Sequence, residues 1–260
     1  MKFSEIVLCS DLDGTLLNEK NQISEENLKA IEYFRNNGGK FMIATGRVPE
    51  AVRPVIGDIT IDFPCICHNG CSVYDLEEEK YIEMTPLDED AVDAAKKIIE
   101  ISPKSGVEVM TYKGIYVTKS NHATDRHLKY EKINFFEADG MENAPKPWLK
   151  ILFAQEEEDT ELIKREIAKT VYWDKYNFAK TYKYYYEIFN KNASKGTALE
   201  KICKTYGIDL KNVIAIGDNE NDISMLSVAG TGVAVENASE HVKVHAKMCA
   251  ESVADLILKL

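Results

Sequence analysis

Short apolar runs recur along the chain at residues 6–9, 41–44, 65–67, 213–216 and 232–235. Each is unbroken by charge and followed by a polar or glycine-containing turn, the pattern of parallel strands buried on both faces. Helical patterns lie between several of them. One begins at Ser24 as N-cap with Glu25 and Glu26 in its first turn, sets Leu28, Ile31 and Phe34 on one side, and stops at Gly38-Gly39. Another starts near Lys195, carries Leu199, Ile202, Cys203 and Tyr206 at helical spacing, and ends at Gly207. Strands alternating with helices imply an α/β fold with a doubly wound, Rossmann-like parallel-sheet core.

Between about Tyr81 and Glu187 the texture changes. A helical stretch over residues 88–101 leads to strand candidates at 107–111 and 115–117. A strand at 149–154, a helix at 160–169 and a tyrosine-rich segment at 173–189 follow. These strands alternate more and read as antiparallel. Because the βα pattern resumes only after Lys195, residues 82–187 are expected to form an α+β cap domain inserted into a discontinuous core of 1–81 and 188–260. Residues 121–147 carry the weakest pattern.

The 260 residues hold 45% hydrophobic side chains, enough for a sizeable core without staples. A formal charge of -11 argues against a nucleic acid as the main partner. No apolar run approaches the length that spans a bilayer, and Met1-Lys2-Phe3-Ser4-Glu5 leads straight into a strand-like segment, so a cytoplasmic protein without a membrane partner is expected. The cysteines are scattered and predict buried, reduced thiols.

In open α/β sheets ligands bind beyond the carboxyl ends of the strands, so the residues that end each run are the ones to collect. The first run ends in Asp11 and Asp13, the second in Thr45-Gly46-Arg47, and residues 213–216 lead into "GDNENDISML", with Asp218, Asn219, Glu220, Asn221 and Asp222. Lys195 opens the helix before that strand. Carboxylates crowded in this way suit a hard cation such as Mg²⁺, which relieves their mutual repulsion. An ionised aspartate beside a bound phosphate can attack phosphorus, with Thr45, Lys195 and backbone amides neutralising charge. If the chain stays extended, Asp13 points to the same side as Asp11 and can protonate the leaving oxygen, then activate water. Taken singly, Asp-x-Asp-Gly reads equally as a turn and residues 218–222 as a polar loop. Their joint occurrence at strand ends favours the chemical reading.

"DLDGTLL", "ATGR", "SKGTAL" and "IGDNENDISML" resemble, in order and spacing, the motifs of haloacid dehalogenase-superfamily phosphatases of the Cof type. The likeness covers residues 6–47 and 194 to about 238. It implies Asp11 as nucleophile, Asp13 as general acid/base, Thr45 and Lys195 as phosphate ligands, and Mg²⁺ held by Asp11, Asp218 and the main-chain carbonyl of Asp13. It also implies Asn219, Asn221 and Asp222 as supports of the metal and phosphate site, and Gly46, Arg47 and Asn69 as groups that reach the substrate. The cap would close over the core and read the leaving group of a small phosphorylated metabolite such as a sugar phosphate. The expected protein is a monomer or weak homodimer. Where similar proteins carry a glycine turn before the motif lysine, this chain has "NKNAS", so Asn190 or Asn192 is expected to adopt the left-handed conformation.

Other features read as structure. Cys65-x-Cys67-His68-x-x-Cys71 lacks the spacing of a zinc site, and His241 and His245 lack a third ligand. Tyr182, Tyr184, Tyr185 and Tyr186 are expected to cover the cap sheet, and Arg126, Lys129, Lys180 and Lys183 to form solvated faces. Two alternatives to a phosphohydrolase remain at this point. A phosphomutase uses the same aspartate, and a receiver-like phospho-acceptor uses a similar acidic set, though Asp13 and the two-domain length disfavour the latter.

Overall fold

The computed structural model describes residues 2–131 and 134–260. In the first third of the chain the strands are β1 (Val7–Ser10), β2 (Lys40–Ile43), β3 (Cys65–Cys67), β4 (Ser72–Asp75) and β5 (Lys80–Met84). The middle contains β6 (Gly106–Thr111), β7 (Gly114–Lys119), β8 (Phe135–Glu137), β9 (Trp148–Ala154), β10 (Tyr176–Tyr182) and β11 (Tyr185–Asn190). The last part adds β12 (Val213–Gly217), β13 (Thr231–Val235) and β14 (Met248–Ala250). Two compact units result: residues 1–83 with 194–260, and residues 84–193.

In the first unit five strands run parallel in the order β14-β13-β12-β1-β2, with β12 at the centre and β1 between β12 and β2. Both faces of this sheet are covered. Leu8, Phe41, Ile43, Ile214 and Ile216 join one apolar cluster, and Val7, Cys9, Met42, Val213 and Ala215 the other. Alternate residues of each strand feed opposite clusters, which is why the runs read as unbroken apolar sequence. Helix Glu25–Asn36 begins as expected, with the Ser24 hydroxyl accepting from the Asn27 amide. Helix Lys195–Tyr206 has Ser194 and Thr197 in a reciprocal capping box and ends on left-handed Gly207.

Two readings of this unit are corrected, and one strand, β14, is added to those the sequence pattern identifies. The 65–67 run is not a member of the main sheet: β3 pairs antiparallel with β4 in a separate sheet that also holds β5, and meets the chain just after β2 at the bridge Ala44–Ile66. The edge strand β14 has no clear sequence pattern, since Met248 and Cys249 remain partly or largely exposed. Residues 11–13 do not continue β1. The chain turns at Leu12, whose carbonyl accepts from the Leu16 and Leu17 amides, and Asp13 bridges to Leu17 instead.

In the second unit the strand order is β10-β11-β9-β6-β7-β8. The pairs are antiparallel except β7–β8, which is parallel, so the expectation of a purely antiparallel sheet is corrected at that edge. Helices Ala91–Ile101 and Glu157–Ile167 cover the face bearing Val107, Val109, Ile151, Phe153, Tyr186 and Ile188. The poorly patterned stretch contains helix His122–Glu131, which packs on β6 and β9. Neither Asn190 nor Asn192 is left-handed. The Asn190 side chain does the turning instead, accepting from the Asn192 amide at 2.9 Å and donating to the Pro86 carbonyl at 2.6 Å.

Candidate active site

Asp11 follows the last residue of β1, and its amide donates to the Ile216 carbonyl of β12 at 2.9 Å. The carboxylate is therefore fixed at the carboxyl edge of the adjacent strands β1 and β12. Lys195 comes to it from the first turn of its helix and is wholly buried. Its Nζ donates to Asp11 Oδ1 and to Asp222 Oδ1, each at 2.6 Å. Asp222 uses its other oxygen to accept from the Asp218 and Asn219 amides, both at 3.0 Å, which folds the loop after β12 back on itself. Asp218 accepts from the Thr15 hydroxyl at 2.8 Å, and one of its oxygens lies within 4.8 Å of an Asp11 oxygen.

Glycine is required at position 14. Its φ is +85°, and a Cβ there would lie 2.4 Å from Asp218 Oδ2. The turn that follows Asp13 thus approaches Asp218 closely enough for Thr15 to bind it. Thr15 was not singled out by sequence reasoning, although its place directly after Asp13-Gly14 is the available signal.

One oxygen from each of Asp11, Asp218 and Asp222 lies within 4.8 Å of the others. Two buried carboxylates, Asp11 and Asp222, share the ammonium of Lys195, and the half-buried Asp218 stands beside them. Burial, then the neighbouring Asp222, pushes the Asp11 carboxyl well above its ordinary value. Burial and Asp222 also push Asp218 up to about 6. Burial alone would lower Lys195, but Asp11 and Asp222 outweigh it and hold the ammonium protonated. The cluster carries more negative charge than its own cation balances, and its donors are all hard oxygens, so a hard metal ion fits it.

Asp13 stands apart from the lysine. Arg47 clasps it bidentately, Nε to Oδ2 at 2.8 Å and Nη2 to Oδ1 at 2.7 Å, and Nη2 also reaches Asn21 Oδ1 at 2.7 Å. The guanidinium side chain is 2% exposed and the Asp13 side chain 38%, so a buried arginine presents a carboxylate at the surface of the site. Thr45 is buried at the end of β2, where its hydroxyl accepts from the Arg47 amide at 3.1 Å. Asn221 donates to Asn69 Oδ1 at 2.9 Å, and Asn219 caps its own short turn through the Glu220 amide at 2.8 Å. Gly46 lies against that same Asn69 oxygen, since a Cβ on it would come within 2.8 Å.

This arrangement is matched by the family model of haloacid dehalogenase-like hydrolases over residues 8–256. The chain belongs to that family. It is 31% identical to the 5-amino-6-(5-phospho-D-ribitylamino)uracil phosphatase YwtE of Bacillus subtilis, covering 90% of this chain and 88% of the relative. It is 29% identical to the pyridoxal phosphate phosphatase YbhA of Escherichia coli, covering 93% and 92%. A haloacid dehalogenase-like hydrolase from B. subtilis superposes with a TM-score of 0.83 at 25% identity, covering 98% of this chain and 99% of that one. This haloacid dehalogenase-like chain is accordingly a phosphohydrolase, and members of its family use a metal ion.

The remaining sequence candidates fall elsewhere. Cys65, Cys67 and Cys71 are buried, and burial pushes the Cys65 thiol up to about 12. His241 and His245 meet edge to face at 5.7 Å. Lys180 pairs with Glu161, and Arg126 lies over the Tyr184 ring. Tyr185 and Tyr186 are buried, whereas Tyr182 is exposed. Among the described residues no helix is long and apolar enough to cross a membrane.

Proposed function

We propose that this chain is a Mg²⁺-dependent phosphomonoesterase working through an aspartyl-phosphate on Asp11. The supporting observation is the buried set Asp11–Lys195–Asp222 with Asp218 alongside, one ammonium among three carboxylates. Asp11, Asp218 and the Asp13 carbonyl are the proposed protein ligands, with Asp222 and Asn219 shaping the loop that carries Asp218. A bound Mg²⁺ would neutralise charge on the phosphate oxygens.

In the first step a carboxylate oxygen of Asp11 forms a bond to phosphorus while the bond to the leaving oxygen breaks. Asp13 gives that oxygen its proton. In the second step Asp13 takes a proton from water, the water oxygen bonds phosphorus, and the acyl phosphate breaks to release inorganic phosphate. Lys195 holds Asp11 in place throughout, and its charge, with the Thr45 hydroxyl, offsets charge on the transferring phosphoryl group. Arg47 holds Asp13 where its carboxylate faces the substrate.

The substrate class is a small phosphorylated metabolite such as a sugar phosphate. The two curated relatives are phosphatases of a vitamin phosphate and of a phosphoribityl-substituted pyrimidine, by their names. The unit of residues 84–193 is proposed as the cap that selects the leaving group. A net charge of -11 gives nucleic acid no general attraction, and a cytoplasmic location is proposed with it.

The test is phosphate release across sugar phosphates, nucleotides, pyridoxal phosphate and phosphoglycerate, with Asp11→Asn as blank. Turnover should vanish with EDTA and return with Mg²⁺. Metal-independent turnover, or turnover by the blank, would remove this mechanism.

A further inference from the structure

The turn His68–Gly70 that closes β3 holds three successive residues in the left-handed region, with φ of 52°, 58° and 93°. Two of them carry a Cβ, and a run of such residues is retained only where the surroundings impose it. The surroundings here are the motif loops themselves. The His68 amide donates to the Arg47 carbonyl at 3.0 Å and the Asn69 amide to the Thr45 carbonyl at 3.1 Å. At Gly70 a Cβ would sit 2.1 Å from the Ser194 carbonyl oxygen, so the turn rests directly on the residue before Lys195. The Asn69 side chain spans the remaining gap, its Oδ1 accepting from Asn221 Nδ2 at 2.9 Å. The His68 ring anchors the turn from behind through Nδ1 and the Ser72 hydroxyl, 2.8 Å apart.

One short turn thereby touches the loops of Thr45, Lys195 and Asn221, which leave three different elements. Left-handed backbone is what makes this reach possible, because it points consecutive amides and a side chain toward separate neighbours.

We propose that Asn69 is a positioning residue for phosphoryl transfer. It fixes the Thr45 loop through its backbone and the Asn221 carboxamide through its side chain, so that both are in place when the phosphoryl group is transferred. This rests on the phosphatase reading above and adds to it a residue that acts through its neighbours.

Two variants separate the side chain from the backbone. Asn69→Gly keeps the left-handed conformation free of steric cost and deletes the carboxamide. Asn69→Asp keeps the oxygen that Asn221 binds. With p-nitrophenyl phosphate as substrate and Mg²⁺ present, Asn69→Gly should keep its thermal midpoint and lower kcat about 10- to 100-fold with a much smaller change in KM. Inhibition by orthovanadate, whose geometry imitates the transferring group, should weaken by a similar factor. Asn69→Asp should recover most of both. Asn221→Ala should reproduce the vanadate effect, and the Asn69→Gly/Asn221→Ala double variant should lose little more than either alone.

Asn69→Gly with the kinetics of the parent chain overturns the proposal while leaving the phosphatase reading intact. A loss of activity matched by a loss of thermal stability, without rescue by aspartate, overturns it in favour of a structural turn. If Asn69→Gly does not fold, unaltered vanadate inhibition in Asn221→Ala overturns it. A parent chain with no Mg²⁺-dependent turnover of any phosphomonoester overturns both readings.

Discussion

The core unit and the unit of residues 84–193 both bury charge, but they balance it differently. In the core, Lys195 lies between Asp11 and Asp222, with Asp218 beside them, at the carboxyl ends of parallel strands. In the other unit, Lys150 Nζ meets Glu187 Oε1 at 2.7 Å and His127 Nδ1 meets Glu108 Oε2 at 2.7 Å, all four residues being buried. Glu108 and Glu187 stand opposite Leu152 from either side, so they share one face of the sheet in mid-strand. There each carboxylate has its own partner, and the pairs tie neighbouring elements together. In the core the anions outnumber the cation. Buried charge alone does not mark a reactive centre; an excess of one sign, fixed by the fold, does.

The sharpest way to break this contrast is Asp11→Asn. Phosphate release should fall by at least about a thousandfold. The thermal midpoint should hold or rise, because burial and Asp222 already disfavour the charged form of Asp11. A large drop in stability would mean that the core cluster is structural after all.

Lys195→Met should cost both activity and fold. Removing the ammonium leaves Asp11 and Asp222 unpaired in the interior, a loss of about 3–5 kcal/mol at pH 7.5 by urea unfolding. The loss should shrink as pH falls, because the Asp11 carboxyl, raised by burial and by Asp222, takes up a proton more readily than an ordinary aspartate. A pH-independent loss would contradict the charge excess.

On the other side of the comparison, Lys150→Met should also destabilise by about 3 kcal/mol, whereas Lys150→Met/Glu187→Leu should recover most of it, since a matched pair is replaceable by apolar contact. Lack of recovery would show that the second unit needs this charge for more than packing.

The smallest expected effect is a linkage between pH and metal. Asp218 is pushed up to about 6 by burial and by Asp222. A raised carboxyl contributes stability that is present below its ordinary value near 3.8 and lost as pH rises through 6. Mg²⁺ requires the ionised form, so its half-saturating concentration in thermal-shift titrations should rise about tenfold per pH unit below 6 and level off above. A flat profile from pH 5 to 8 would place the metal away from Asp218.

The parts of the site legible in sequence were those governed by strand termini. Asp11, Thr45, Lys195 and Asp218 each sit at the end or start of a strongly patterned element, and apolar runs bounded by polar residues locate such ends well. Thr15 and Asn21 escaped notice because their roles arise from turns: Gly14 folds Thr15 onto Asp218, and Asn21, itself left-handed at φ 59°, meets Arg47 across the loop. Strand β3 was misassigned to the main sheet because a three-residue buried run looks the same in either sheet. Its antiparallel pairing with β4 follows from the left-handed turn between them, which no periodicity reports.

Local sequence thus determined the alternating elements, the order of the motifs and the charge types at their ends, because these depend on periodicity, capping and chain order. Tertiary structure decided which carboxylate meets which cation. Asp13, two residues from Asp11, turns to Arg47, while Asp11 is joined by Lys195 from 184 positions away. Once β1 ends at Ser10 the direction of each side chain is set by the turn at Leu12 and by the loops packed against it, and proximity in the chain no longer fixes proximity in space.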